Sequence, residues 1–168
     1  SNQATDGGFS PLFIACQEGH LECVQLLLGA SAAVNQANAN GATPLFIASK
    51  NGHVDVLRLL LAAALARDQA KDAGFTPLYV ACQERHLVIV RLLLAAGAAV
   101  NQATEDGAAP LYIACENGHL GCSQLLLGAS AAVDRAAEDG FTPLHVACLE
   151  GHSAVVLCLL RAGADTAA

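Results

Sequence analysis

The segment Phe9-Ser10-Pro11-Leu12-Phe13-Ile14-Ala15 decides the fold, because related segments return four more times along the chain, each 33 residues after the last. The clearest marker of this period is a proline in every copy: Pro11, Pro44, Pro77, Pro110 and Pro143. A fixed period of this length indicates stacked supersecondary units, each of which buries its apolar face against its neighbours. The sequence therefore favours a function carried by a surface over one carried by a catalytic site.

Each repeat predicts two short helices. The hydroxyl of Ser10 can cap a helix that begins at the recurring proline, and Gly19 can end that helix because glycine tolerates the left-handed conformation. A second helix is expected after His20, with an apolar stripe at Leu21, Val24, Leu27 and Leu28. Neither helix reaches the ~12 to 15 residues at which an isolated helix is marginal in water. Each helix must therefore be stabilised by its neighbours.

These residues resemble the ankyrin-repeat family. The segment Thr142-Pro143-Leu144-His145-Val146-Ala147 matches the family signature T-P-L-H-x-A, and Gly118-His119 is similar to its inter-helix turn. The resemblance implies an all-α repeat solenoid, in which stacked helix-turn-helix ankyrin repeats are joined by β-hairpin-like turns. It implies one domain over residues 5–168, with repeats at about 5–37, 38–70, 71–103, 104–136 and 137–168, after an N-terminal tail at 1–4 that is consistent with a cloning remnant.

Several residues depart from the family pattern. Ala109 stands where the other repeats have a capping Ser or Thr, so the cap of that helix should be weaker. Four residues replace glycine where helices end: Arg85, Ser31, Ala64 and Ser130. If the backbone stays left-handed there, each substitution costs on the order of 1 kcal/mol. The exit loop of the second repeat, at 65–68, is expected to be the most irregular segment.

The overall composition excludes several classes of partner. Of the 168 residues, 54% are hydrophobic and 14% charged, which is apolar enough for a continuous core. The longest apolar stretch, residues 59–66, is far shorter than the ~20 residues that cross a bilayer, so no membrane partner is predicted. Fifteen acidic residues against eight lysines and arginines, a net charge of −7, also disfavour nucleic acid.

A cysteine recurs four residues before a histidine, as in Cys16 and His20, a spacing that could suggest a metal site or a reactive thiol. Adjacent repeats packed ~8 to 10 Å apart cannot bring such ligands within the ~2.0 to 2.3 Å that zinc requires. The cysteines also belong to an apolar helix face, whereas a reactive thiolate needs an electropositive setting. We therefore predict no metal, no cofactor and no enzymatic activity. Cys16, Cys82, Cys115 and Cys148 are interpreted as reduced, buried residues of an intracellular protein, in the cytoplasm or alternatively the nucleus.

Two further residue types are expected to serve the fold. The resemblance implies that the recurring histidines bond to the backbone near the inter-helix turn. For Asn35 and Asn101 in the exit loops we favour a local backbone hydrogen-bonding role, with asparaginyl hydroxylation, known at this position in some family members, as the alternative.

The resemblance also implies that the turn tips and first helices line a concave groove. Projected on that frame, ten of the fifteen acidic residues fall on the groove side, against Lys50 and Lys71 among the bases. This asymmetry predicts a protein partner that is basic, or mixed basic and apolar. Phe9, Phe75 and Phe141 are either exposed anchors for that partner or rings packed on their own turns. The predicted partner-binding residues are Phe9, Glu18, Lys50, Asn51, Phe75, Glu84, Asp106, Glu116, Asn117, Glu138, Phe141 and Glu150.

The leading hypothesis is therefore a non-catalytic protein-protein interaction module that binds a basic segment through a concave acidic groove. The alternatives are a structural scaffold or spacer within a longer ankyrin array, and an engineered ankyrin binding scaffold. Neither terminal repeat has the polar outer face of a solenoid cap. This predicts either excision from a larger protein or self-association through uncapped ends.

Overall fold

The computed structural model describes residues 7–63 and 68–167. Over these ranges the chain forms ten α-helices, one 3₁₀ helix at Asp72–Gly74 and no strands. No described helix has both the length and the apolar character needed to cross a membrane. The α-helices are α1 Pro11–Glu18, α2 Leu21–Gly29, α3 Pro44–Asn51, α4 Val54–Ala63, α5 Pro77–Gln83, α6 Leu87–Ala95, α7 Pro110–Glu116, α8 Leu120–Gly128, α9 Pro143–Leu149 and α10 Ser153–Arg161.

The helices stack in two layers, as an all-α repeat solenoid requires. Each first helix packs against the first helix of the next repeat and against the second helix of its own repeat. The second helices form the other layer. The core between the layers is built from the leucine that follows each proline, such as Leu12 and Leu45, and from the stripe of the second helices, such as Leu57 and Leu93.

The predicted helix caps are present. The hydroxyls of Ser10, Thr43 and Thr76 each accept a hydrogen bond from the backbone N–H three residues later, at 3.1 Å. Thr142 forms a capping box with His145, whose ring accepts from the Thr142 backbone N–H at 3.2 Å. Ala109 makes no such bond, so the first helix of the fourth repeat begins without a side-chain cap.

Three of the four residues that replace glycine at helix ends have a left-handed backbone. Gly19 ends α1 at a φ of 73°, and Arg85, Ser31 and Ser130 stand at φ values of 61°, 60° and 66°. Side chains at these angles crowd the backbone, which costs on the order of 1 kcal/mol each. Ala64 and the following exit-loop residues up to 67 lie outside the described residues.

The recurring histidines join successive repeats. In four of the five, the ring Nε2 donates to a carbonyl oxygen 36 residues earlier, near the end of the preceding repeat's first helix. This confirms a structural role and adds that the acceptor belongs to the neighbouring repeat. The pairs are His53 with Gln17 (2.9 Å), His86 with Lys50 (2.9 Å), His119 with Gln83 (3.1 Å) and His152 with Glu116 (2.9 Å).

The turns are linked by a second ladder, made of backbone atoms. The N–H of Asp72 donates to the carbonyl of Asn40 at 3.2 Å, and the N–H of Glu138 donates to that of Asp106 at 3.0 Å. Within a turn, the N–H of Lys71 donates to the carbonyl of Phe75 at 2.8 Å. These bonds give the turns the hairpin-like character expected of them and hold their tips in a row beside the first helices.

Candidate functional site: two clefts on the concave face

The turn tips and first helices enclose two clefts with different chemistry. The first, about 330 Å³ in volume, lies across the first three repeats and is called the aromatic cleft. The second, about 390 Å³, lies across the third to fifth repeats and is called the acidic cleft. The aromatic cleft is defined by Phe9, Phe13, Phe46, Ile47, Lys50, Lys71, Phe75 and Glu84. The acidic cleft is defined by Tyr79, Asp106, Tyr112, Glu116, Glu138 and Asp139.

The floor of both clefts comes from one repeat position, directly after the Pro-Leu pair. Phe13, Phe46, Tyr79 and Tyr112 fill this position, and all four are buried in the hydrophobic core. The fifth repeat has His145 there instead, and its side chain is exposed. The aromatic floor is therefore continuous through four repeats and changes from phenylalanine to tyrosine at the third.

The phenylalanines at the turns are both packed and accessible. The Phe9 ring lies 5.4 Å from the Phe13 ring, and the Phe75 ring lies 5.3 Å from that of Tyr79, nearly edge-on. Both Phe9 and Phe75 are half-buried. Phe141, whose ring lies 5.7 Å from the imidazole of His145, is 44% exposed. Each ring therefore rests on the side chain four residues later and shows its remaining surface to the groove.

The aromatic cleft also holds the two groove-side lysines. The ammonium nitrogen of Lys71 lies 5.9 Å from the centre of the Phe75 ring, within range of a cation–π interaction. Lys50 is exposed at the end of α3. Glu84, also exposed, lines the same cleft. This half of the groove is thus apolar at its floor and of mixed charge at its rim.

The acidic cleft has a strongly negative environment. Burial raises the pKa of Tyr79 to about 12, and the carboxylates of Glu116 and Asp106 contribute to the increase. The pKa of Tyr112 is raised by burial and by Asp139 and Glu116. None of the described residues that line this cleft is a lysine or arginine. A cation entering it would meet several carboxylates beside two aromatic rings.

The predicted partner-binding residues divide among three places. Phe9, Lys50, Phe75 and Glu84 line the aromatic cleft, and Asp106, Glu116 and Glu138 line the acidic cleft. The amide of Asn51 donates to the carbonyl of Gln17 at 2.9 Å, a contact between repeats. Those at neither cleft are Glu18, Asn51, Asn117, Phe141 and Glu150.

Seven of the residues that define the clefts are missing from the predicted set: Phe13, Phe46, Ile47, Lys71, Tyr79, Tyr112 and Asp139. All seven occupy turn-tip or first-helix positions, so the repeat register could have identified them. Tyr79 and Tyr112 are buried and also line the acidic cleft.

The buried cysteines are poor nucleophiles. Burial raises the pKa values of Cys16 and Cys115 to about 12, so both thiols are protonated near neutral pH. The pKa of Cys82 is raised by a hydrogen bond with Cys122 and by burial. Among the described residues, no group of three or more His, Cys, Asp or Glu side chains could hold a metal ion. The prediction that Cys148 is buried was wrong, because its side chain is exposed on α9.

The exit-loop side chains connect neighbouring repeats. The Asn101 side-chain oxygen accepts from the backbone N–H of Ala132 at 2.9 Å, and Asp68 accepts in the same way from Ala99 at 2.8 Å. The prediction of a local bond was therefore wrong for Asn101, since its partner lies 31 residues away. Asn35 is exposed. Hydroxylation of Asn35 or Asn101 stays a prediction.

The comparisons with known proteins agree with this architecture. A family model described as ankyrin repeats (three copies) matches residues 12–104 and again residues 89–168. Over 33 residues, 20% of the chain, the sequence is 58% identical to a probable E3 ubiquitin-protein ligase, XBOS32, of Oryza sativa subsp. japonica. That stretch spans 7% of the plant protein's length, so the similarity is confined to a small part of it. Because the family model covers nearly all of the five helix pairs, the chain belongs to the ankyrin repeat family.

Proposed function

We propose that the chain is a non-catalytic protein-binding module that holds an extended segment of its partner along the concave groove, with basic side chains of that segment in the acidic cleft. Ankyrin repeats are in general a protein-protein interaction fold without catalytic activity. The observation that carries the finer proposal is the division of charge along the groove. Four carboxylates surround the acidic cleft, whereas both groove-side lysines line the aromatic cleft.

The chemistry of the acidic cleft suits arginine or lysine side chains. A guanidinium or ammonium group can lie against the face of Tyr79 or Tyr112 while it donates hydrogen bonds to neighbouring carboxylates. The raised pKa values of the two tyrosines support this, because the carboxylates that disfavour a phenolate would favour a cation. Negative potential at this end would also steer a basic segment toward the groove.

The aromatic cleft suits apolar side chains. Phe9, Phe46, Ile47 and Phe75 offer hydrocarbon surface, and half-buried rings of this kind are frequent anchor sites in interfaces. Lys50 and Lys71 at its rim would repel a uniformly basic segment. We therefore infer that the partner segment is mixed, with apolar residues over the first three repeats and basic residues over the last three.

The test uses two labelled synthetic peptides, one with leucines followed by arginines and one with alternating serine and glycine. Fluorescence anisotropy should detect binding of the first peptide only. Neutralising the acidic cleft with Asp106→Asn, Glu116→Gln and Glu138→Gln should weaken that binding by on the order of tenfold or more, since close charge pairs at interfaces couple by ~1.5 kcal/mol or more.

The matched control removes the same number of charges elsewhere. Glu22→Gln, Asp55→Asn and Asp165→Asn alter exposed carboxylates that line neither cleft. If both triple variants weakened peptide binding equally, the effect would come from net charge alone, which would contradict the proposal. Binding of neither peptide at any concentration would favour the spacer interpretation. The intracellular location stays a prediction.

A further inference from the structure

The second helix of the third repeat, α6, has exposed apolar surface although further repeats lie on both sides of it. Leu87 is 37% and Val88 is 50% exposed. They are the only exposed large apolar side chains among the described residues of the three interior repeats, 38–63 and 68–136. At the position of Val88 the first two repeats have exposed acids, Glu22 and Asp55. The third repeat therefore has an aliphatic side chain where earlier repeats have a solvated carboxylate.

The surroundings of these two side chains leave room for a partner. Gly121 occupies the position of Val88 in the fourth repeat and adds no side chain beside it. A Cβ atom at Gly121 would lie 3.0 Å from Cδ1 of Leu87, so Leu87 lies close to the backbone of α8. On the side of the second repeat, a cleft of about 240 Å³ is lined by Leu87 and Val88 together with Gly52 and Val54. This cleft can receive an apolar side chain.

Two arginines flank the apolar pair. Arg85 precedes α6 and lines the same cleft, and Arg91 lies four residues after Leu87 and three after Val88, on the same side of the helix. Both arginines are exposed. Neither α6 nor α8 contains an acidic residue, although the chain has a net charge of −7. The surface formed by Arg85, Leu87, Val88 and Arg91 is called the outer patch.

We propose that the outer patch binds an acidic segment of a second partner protein, with an apolar side chain of that segment in the cleft and its carboxylates against Arg85 and Arg91. The charge of the patch supports this choice, because a guanidinium group pairs well with a carboxylate and would repel a basic segment. The proposal is independent of what the groove binds. A chain that used both surfaces would hold an acidic and a basic protein side by side.

An anionic membrane would have the same charge as such a segment. The patch is a poor match for it, because two arginines are fewer than the ~4 to 8 clustered basic residues typical of anionic-lipid sites. We therefore favour a protein partner, and vesicles enter the test as a competing occupant.

The probe is a labelled synthetic peptide of leucine and glutamate, compared with one in which glutamine replaces every glutamate. Fluorescence anisotropy should show that the first peptide binds the parent chain more tightly. Val88→Glu restores the acid that Glu22 supplies in the first repeat, and should weaken this binding by about tenfold or more because like charges repel across an interface. The matched control Ala154→Glu adds the same charge at the same position of the fifth repeat, and should leave the affinity unchanged.

Arg85 allows binding to be separated from stability. The other four repeats have glycine at its position, and Arg85 stands there at a φ of 61°. Arg85→Gly should therefore raise the urea midpoint of unfolding, since glycine adopts this backbone without strain, while it weakens binding of the acidic peptide. A variant that gained stability and kept its full affinity would show that Arg85 takes no part in binding, and would overturn the assignment of the patch.

Three other results would overturn the proposal. Equal affinity for the two peptides would show that carboxylates are not recognised, and equal weakening by Val88→Glu and Ala154→Glu would reduce the effect to net charge. Loss of binding in the double variant Lys50→Gln, Lys71→Gln would place the acidic peptide in the groove. Vesicles that contain phosphatidylserine should not sediment the chain, and sedimentation abolished by Val88→Glu would make the patch a lipid site instead.

Discussion

The aromatic and acidic clefts are built from the same repeat positions and differ in chemistry. Both have an aromatic floor directly after the Pro-Leu pair and a rim of turn-tip and helix-end side chains. In the first, the floor is Phe13 and Phe46 with lysines at the rim. In the second, it is Tyr79 and Tyr112 with carboxylates. The comparison shows that the buried floor positions stabilise the stacked helices. The neighbouring rim positions can vary between repeats and determine what the groove binds.

The largest effect is expected from removing a floor ring. Phe46 is buried between repeats, so Phe46→Ala should destabilise the chain by ~3 to 5 kcal/mol through lost burial and a cavity. Urea unfolding followed by circular dichroism measures this. Leu26→Ala, at an exposed position, is the control and should cost far less. A small effect at Phe46 would mean that the floor of the aromatic cleft is not part of the core.

A smaller loss of stability is expected at the phenylalanines of the turns, and its size should differ between Phe75 and Phe141. Phe75 is half-buried against Tyr79, so Phe75→Glu should destabilise by ~1 to 2 kcal/mol through lost burial and a lost ring pair. Phe141→Glu, at a more exposed ring beyond both clefts, should stay within ~0.5 kcal/mol. Melting temperatures of the two variants give the comparison directly. Equal losses would show that exposure does not distinguish the two rings.

The first helix of the fourth repeat, α7, has no side-chain cap, and supplying one should stabilise the chain. Ala109→Thr would supply the hydroxyl that Thr76 supplies one repeat earlier, and should stabilise by ~1 kcal/mol. The mirror variant Thr76→Ala should lose about the same amount. Urea midpoints of both variants test this. If Ala109→Thr brought no gain while Thr76→Ala brought a loss, the buried site at 109 would have no room for the larger side chain.

The 33-residue period predicted the structure within one repeat, and it was less informative about the contacts between repeats. Helix starts, caps and the left-handed positions of Arg85 and Ser31 follow from local chemistry, so they could be predicted. The acceptor of His53, three residues beyond one full period at Gln17, depends on how successive repeats are offset. The separation of Lys71 from Asp139 into two clefts follows from their places in the third and fifth repeats, which the repeat register shows. Charge counted over the whole groove could not show that division.

The smallest effect concerns the charges around the tyrosine floor. Tyr79 keeps its proton in the folded chain up to about pH 12, against an ordinary value of 10.0. Because the unfolded chain loses that proton first, stability should be unaffected below pH 10 and fall as pH rises from there toward 12.

In the Tyr112→Phe background Tyr79 is the one remaining tyrosine of the two in the sequence, so phenolate absorbance reports its titration alone. Adding Glu116→Gln to that background should lower the pKa of Tyr79 slightly, because burial is the main cause of the increase and the carboxylate a lesser one. If the pKa of Tyr79 returned to its ordinary value, the carboxylates rather than burial would be the main cause of its increase. The carboxylates would then be the main chemical difference between the acidic cleft and the aromatic cleft.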